Sequence, residues 1–190
     1  MRFTITSLVL IKALKLMQGF NSESERRPVL KQVHIIADAN KQNVCFEATN
    51  NFKAARWYLD VEVGESGEGF IEITNYMLAL LKCYKNAFVK IYSEDNITKA
   101  CIYDNIIVLS RFKDKYANLS TVYNIDAVDS KPLIDIEMLQ SALKAMANAG
   151  AKYVELNIPT NQIKTIKLIA SHTNTIDKDS IEAIILPIKR

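Results

Sequence analysis

The sequence predicts an α+β chain made of three copies of one unit: a short strand, a helix, then three strands. Three observations carry this. The stretches Phe3-Thr4-Ile5-Thr6-Ser7, Ile71-Glu72-Ile73-Thr74-Asn75 and Ile134-Asp135-Ile136-Glu137-Met138 each alternate apolar and polar residues, as a strand does, just before a helical pattern begins. With Ile5, Ile73 and Ile136 as markers, the steps are 68 and 63 residues, an internal repeat longer than common solenoid periods, so each unit is half a domain. One helix must then cover four strands. Two units side by side put two helices on one face of a larger sheet, an α+β layer. A third unit is left without a mate, and its bare sheet edge and helix flank predict self-association.

The elements follow in order. Residues 1–5 form the first strand. Thr6 or Ser7 caps a helix running to Gln18, and Gly19 ends it. Residues 20–28 are a charged connection. Residues 33–39, 44–49 and 54–63 are rich in β-branched and aromatic residues and are predicted strands. Gly64, Gly67 and Gly69 mark a loop that opens the second unit. There residues 70–73 are a strand, Thr74 caps a helix to Lys85, and residues 87–92, 97–103 and 106–112 are strands, with Asp104-Asn105 as a tight turn. Residues 113–131 are the best linker, with a strand-like piece at 121–125. The third unit has a helix over 137–149, stopped by Gly150, then strands over 153–158, 163–171 and 181–188. This divides the chain into a two-unit domain, 1–118, and a single third unit, 119–190.

The composition excludes several functions. Across 190 residues, 24 Lys and Arg face 21 acidic residues, a net charge of +3. That excludes a polybasic nucleic-acid tail, and any DNA contact needs its positive charge gathered on one surface. Cys45, Cys83 and Cys101 lack metal-ligand spacing and are expected to be reduced thiols, which with the missing leader pattern predicts a cytoplasmic protein. No apolar run approaches a membrane span. Catalysis finds no support. His34 lies in an apolar strand run, His172 sits at a polar strand end, and no nucleophile, metal or phosphate-loop spacing surrounds either. The glycines at 64–69 alternate with acidic residues, which would repel phosphate. Neither a cofactor nor a metal is expected. Trp57 and Tyr58 are expected to pack in a strand.

Two features remain. Lysines recur on the outward side of each helix: Lys12 and Lys15, Lys82 and Lys85, then Lys144. A solvated helix face explains them equally well, but gathered in an oligomer they would bind DNA phosphates without reading sequence. The ending Ile184-Ile185-Leu186-Pro187-Ile188-Lys189 is a buried strand stopped by a proline that cannot join a ladder, which leaves an apolar patch at a strand end.

Three stretches resemble the bacterial sliding clamp, the beta subunit of the replicative DNA polymerase, in a shortened form. Residues 27–54, with Ala48-Thr49-Asn50-Asn51-Phe52-Lys53-Ala54, resemble its middle domain, where a strand pair ends in an Ala-Thr-Asp-Gly-His-Arg-Leu turn. Residues 106–125 resemble the stretch leaving that domain. Residues 152–190 resemble the end of the last domain, with its Val-Val-Met-Pro-Met-Arg ending. The resemblance implies a DNA-clamp-like fold of one full domain plus a half domain. It implies a peptide-binding pocket at Leu30, Thr49, Ile184, Ile185, Leu186, Pro187 and Ile188 for the motif of a DNA polymerase or clamp loader. It also implies double-stranded DNA held by Lys12, Lys15, Lys82, Lys85 and Lys144. The family's Gly-His-Arg is Asn51-Phe52-Lys53 here. A twelve-unit ring would need four chains, a tetramer. The expected function is that of a non-enzymatic processivity factor; the alternative is a non-ring module that competes for clamp-binding peptides.

Overall fold

The computed structural model describes residues 1–22, 26–111, 115–116, 118–119, 136–157, 166–171 and 181–185. The first unit is β1 (Arg2–Thr6), α1 (Ser7–Gln18), a 3-10 turn (Pro28–Lys31), β2 (Gln32–Asp38), β3 (Asn43–Thr49) and β4 (Lys53–Asp60). A short β5 (Val63–Glu65) follows. The second unit is β6 (Gly67–Glu72), α2 (Asn75–Cys83), β7 (Phe88–Glu94), β8 (Ile97–Ile102) and β9 (Asn105–Arg111). The third contributes α3 (Ile136–Asn148), β10 (Tyr153–Asn157), β11 (Ile166–Ser171) and β12 (Ile181–Ile185). The predicted repeat is therefore present. The linker 113–131, its piece at 121–125 and the residues after 185 fall wholly or mostly outside the described residues.

Local chemistry sets the helix ends. The Thr6 hydroxyl accepts from the Val9 amide at 3.4 Å, and Thr74 accepts from Met77 at 3.1 Å, each satisfying a donor the first turn leaves open. Gly19 does end α1, but in right-handed helical geometry (φ −68°), with its amide reaching back to the Leu16 and Met17 carbonyls. What fixes a small residue there is space: a Cβ on Gly19 would stand 3.1 Å from that of Ala145 on α3.

The sheets differ from expectation. The single larger sheet is instead two antiparallel sheets among the described residues, ordered β5-β1-β7-β8-β9 and β10-β11-β12-β4-β3-β2-β6. The two units exchange their first strands. β1 leaves its own unit to pair with β7, Phe3 facing Ile91, while β6 pairs with β2, Ile71 facing Val33. Periodicity records which face of a strand is buried but not which neighbour it takes, so the exchange is invisible in the sequence.

The predicted loop at Gly64–Gly69 is corrected for the same reason. Val63–Glu65 joins one sheet, Gly67–Glu72 the other, and Ser66 marks the crossing. The glycines serve close approach: a Cβ on Gly69 would meet the Met1 side chain at 2.7 Å and the Thr98 hydroxyl at 2.9 Å. The predicted strand 54–63 accordingly ends at Asp60 and resumes in the second sheet. The β8–β9 turn is Tyr103-Asp104, one residue before the predicted pair, with Tyr103 at φ 52°.

One core fills the molecule. Leu10, Leu14 and Met17 of α1 lie against Val33, Ile35, Val44 and Phe46, and Trp57 packs inward as predicted. Phe3 meets Phe46 edge-on at 6.3 Å, which joins the two sheets through the exchanged strand. α1 touches both α2 and α3, so the three helices form one layer with α1 at its centre.

Candidate functional site

The third unit docks on the first through β12 and β4. Ala183 faces Ala55, Ile184 faces Ala54, and Ala54 also faces Thr49 on β3. Directly opposed residues share a face, so Thr49, Ala54 and Ile184 stand in one row on the side away from α1. Leu119 closes over Ala54 and Ile184, with Tyr116 packed beside them, as a small apolar cluster apart from the main core. The structure thus brings together two predicted pocket residues, Thr49 and Ile184. Leu30 is buried at the 3-10 turn but belongs to neither cluster. Ile185 pairs with Lys53. Leu186, Pro187 and Ile188 lie outside the described residues. Ala54, Tyr116 and Leu119 were missed as site residues. Their signal was the resemblance of residues 106–125 to the clamp stretch that leaves the middle domain.

The turn beside this row is tightly held. The Thr49 hydroxyl donates to the Lys53 carbonyl at 3.0 Å and accepts from the Asn51 amide at 3.1 Å. The Asn50 side-chain oxygen takes the Phe52 and Lys53 amides at 3.1 and 3.0 Å. Asn51 sits at φ 73°, a conformation asparagine tolerates better than most residues. Phe52 projects outward, 60% exposed. Lys53, the basic residue of the turn, reaches Ser141 of α3 at 2.7 Å and lies 5.3 Å from the centre of the Phe20 ring. It therefore braces α3. Its partial burial lowers its pKa.

Next to the cluster is a cavity of about 860 Å³ lined by His34, Cys45, Glu47, Tyr58, Glu68, Phe70 and Tyr116 among others. His34 stacks between Phe70 at 5.2 Å and Tyr116 at 4.7 Å. Its ring nitrogens face Glu47 at 3.3 Å and Glu68 at 3.2 Å. This is the satisfied sheet-face histidine the sequence suggested. The row continues: Glu47 opposes Arg56, and Glu182 takes Arg56 Nε and Lys167 Nζ, each at 2.6 Å. Acidic and basic side chains thus alternate across six strands, and the last links tie β4 to β12 and β11.

The cavity is poorly suited to catalysis. Burial pushes the Cys45 thiol well above its usual range and Tyr58 up to about 12, and burial with the nearby Glu47 carboxylate does the same to Tyr116. Each stays protonated near neutral pH and is no nucleophile. Among the described residues no group of His, Cys, Asp and Glu has the geometry of a metal site. Cys45, Cys83 and Cys101 are all free thiols.

On the helix layer Lys12 and Lys15 share one exposed stripe of α1 with Leu8. Lys82 is exposed in the last turn of α2, and Lys144 is exposed on α3. Lys85 is exposed too, but α2 ends at Cys83 with Tyr84 as its cap, so Lys85 is not on the helix as predicted. Helices α1 and α2 carry no acidic residue, and α3 has only Glu137. Among the described residues no helix is long and apolar enough to cross a membrane.

Two exchanged units, an inner layer of helices and sheets continuing across the unit seam define the architecture of a DNA sliding clamp. The chain has the fold of the bacterial DNA polymerase III beta subunit. It is similar to that subunit from Streptococcus pneumoniae (TM-score 0.76, 12% identity) and Thermotoga maritima (TM-score 0.74, 10% identity), each match covering 100% of this chain and 65% of the other. The sliding clamp of Bacillus subtilis matches with TM-score 0.71 and 14% identity over 100% and 64%. The chain therefore spans about 65% of the length of these clamps. No protein-family model and no curated protein matches the sequence.

Proposed function

We propose that the chain is a clamp-like processivity factor that encircles or cradles duplex DNA without reading its sequence. The helix layer carries this reading. Four helix lysines, Lys12, Lys15, Lys82 and Lys144, stand in solvent against a single helix glutamate, on a fold whose solved counterparts are sliding clamps. Lys85 adds to the same charge from the end of α2. Phosphate contact needs only such gathered charge. The factor catalyses no reaction; DNA retention comes from topology and charge. A ring of twelve units would take four chains.

The apolar row Thr49, Ala54 and Ile184 under Leu119, continued by Leu186, Pro187 and Ile188, would receive the anchor side chains of a polymerase or loader peptide, with Leu30 and Ile185 as flanking residues. The chain's shorter length favours a second reading, a non-ring module that competes for such peptides.

Charge reversal of Lys12, Lys15, Lys82 and Lys85 to Glu separates the two. A clamp loses retention on circular duplex DNA and keeps peptide binding. Retention equal to the unaltered chain counts against DNA holding.

A further inference from the structure

The strand exchange follows a rule. In each two-unit pair, the first strand of one unit seals the second-strand side of the other: β1 on β7, and β6 on β2. The third unit has no mate. Its corresponding strand, β10, pairs with β11 and with nothing else among the described residues. The consequence is visible in burial. Val154 and Leu156 face Ala170 and Leu168, which are wholly buried, yet they are 38% and 51% exposed. In β7 and β2 the matching residues Val89, Ile91, Val33 and Ile35 are all buried. Helix α3 shows the same cut. Ile136, Gln140, Leu143 and Ala147 form a solvent-facing stripe at helical spacing, with Ile136 71% and Leu143 36% exposed. An exposed apolar edge beside an exposed apolar helix flank is a domain core divided in two.

We infer that the missing half is the third unit of a second copy of this chain, and that the two copies exchange first strands reciprocally. The donor is fixed by the repeat. Ile134 holds the place of Phe3 and Ile71 in the sequence pattern, while residues 132–135 themselves lie outside the described residues. The register follows. Phe3 faces Ile91, whose other neighbour is the buried Ala100; the residue facing the buried Ala170 is Val154. Ile134 of one copy therefore pairs with Val154 of the other, antiparallel. The interface is two-fold and closed, and it completes a domain from two half domains. It differs from simple edge-to-edge association because each copy both gives and receives a strand.

The inference rests on the clamp fold described above and not on DNA or peptide binding, so its test uses the full chain without either. Light scattering on the purified chain, over an about hundredfold concentration range, is expected to give two chains or a multiple of two. The variant Val154→Lys/Leu156→Lys, altered only at positions exposed in the single chain, is expected to fall to one chain with its circular dichroism unchanged. A single chain at every concentration, or a variant that keeps its mass, would overturn the proposal. Exchange itself is read by mixing I134C chains with V154C chains, both in a C83S/C101S background. A mixed disulfide joining two chains is expected. A chain carrying both cysteines that closes on itself shows that Ile134 serves its own β10, and refutes the exchange. Loss of DNA retention with the exchange intact would instead defeat the earlier reading alone.

Discussion

Glu182 holds the seam between the first and third units, and replacing it measures what that seam is worth. Its carboxylate takes Arg56 Nε and Lys167 Nζ, each at 2.6 Å, and the three side chains are only 13%, 13% and 17% exposed. Hydrogen bonds to charged groups contribute about 1.5–3 kcal/mol each. In Glu182→Gln the pair of cations loses its counter-charge while staying largely out of water, a loss of about 3–5 kcal/mol. For a chain of this size each kcal/mol moves the melting temperature by about 2–4 °C, so a fall of about 6–15 °C is expected by calorimetry. The control is Glu65→Gln. Glu65 pairs with Arg2 at 3.3 Å, but the partners are 54% and 42% exposed, where water screens the charge. That change is expected to cost no more than about 1 kcal/mol. Equal losses in the two variants, or a Glu182→Gln loss below about 0.5 kcal/mol, would refute the claim that burial of the triad sets its strength.

Two further expectations concern the site. Thr49→Val keeps the buried shape but removes the hydroxyl that joins the Lys53 carbonyl to the Asn51 amide; a loss of about 1–2 kcal/mol is expected in urea unfolding, with any peptide affinity falling because the turn loosens. Tyr58 carries a pKa raised to about 12 by burial, against an ordinary value of 10.0. The folded chain keeps this proton where the unfolded chain has lost it, so the stabilisation is whole below pH 10.0 and disappears as pH rises through about 12. Tyr58→Phe is expected to flatten the alkaline loss of stability, and an unchanged slope would remove Tyr58 as its source.

The legible part of the fold was local. Threonine before an apolar helical run gave both caps, at Thr6 and Thr74, because one hydroxyl and one amide three residues on decide a helix start. Alternation identified β2, β3, β8 and β12, because burial of one face is written every second residue. The partner of each strand was not legible. β1 and β6 cross between units, and the Gly64–Gly69 stretch looked like a loop because glycine marks close approach as often as a turn. The site was half legible. Thr49 and Ile184 were named from the resemblance, but alanine carries no signal of its own, so Ala54 became visible only when β4 met β12. Lys53 was read as the turn's basic group and proved to brace α3.

The seam between β4 and β12 joins residues 126 positions apart, whereas the neighbouring β3–β4 turn closes over a separation of four. The entropy of closing the longer loop is larger by about 3 kcal/mol. The seam should accordingly be among the last contacts to form and the first to open in native-state hydrogen exchange. Ala54 and Ile184 touch only while it is shut. Occupancy of that cluster and closure of the loop are then thermodynamically linked, each favouring the other by the same free energy. A peptide seated there would act as a latch: it would slow amide exchange in β12 as far as it tightens, and a chain with a loosened seam would lose affinity by the same factor.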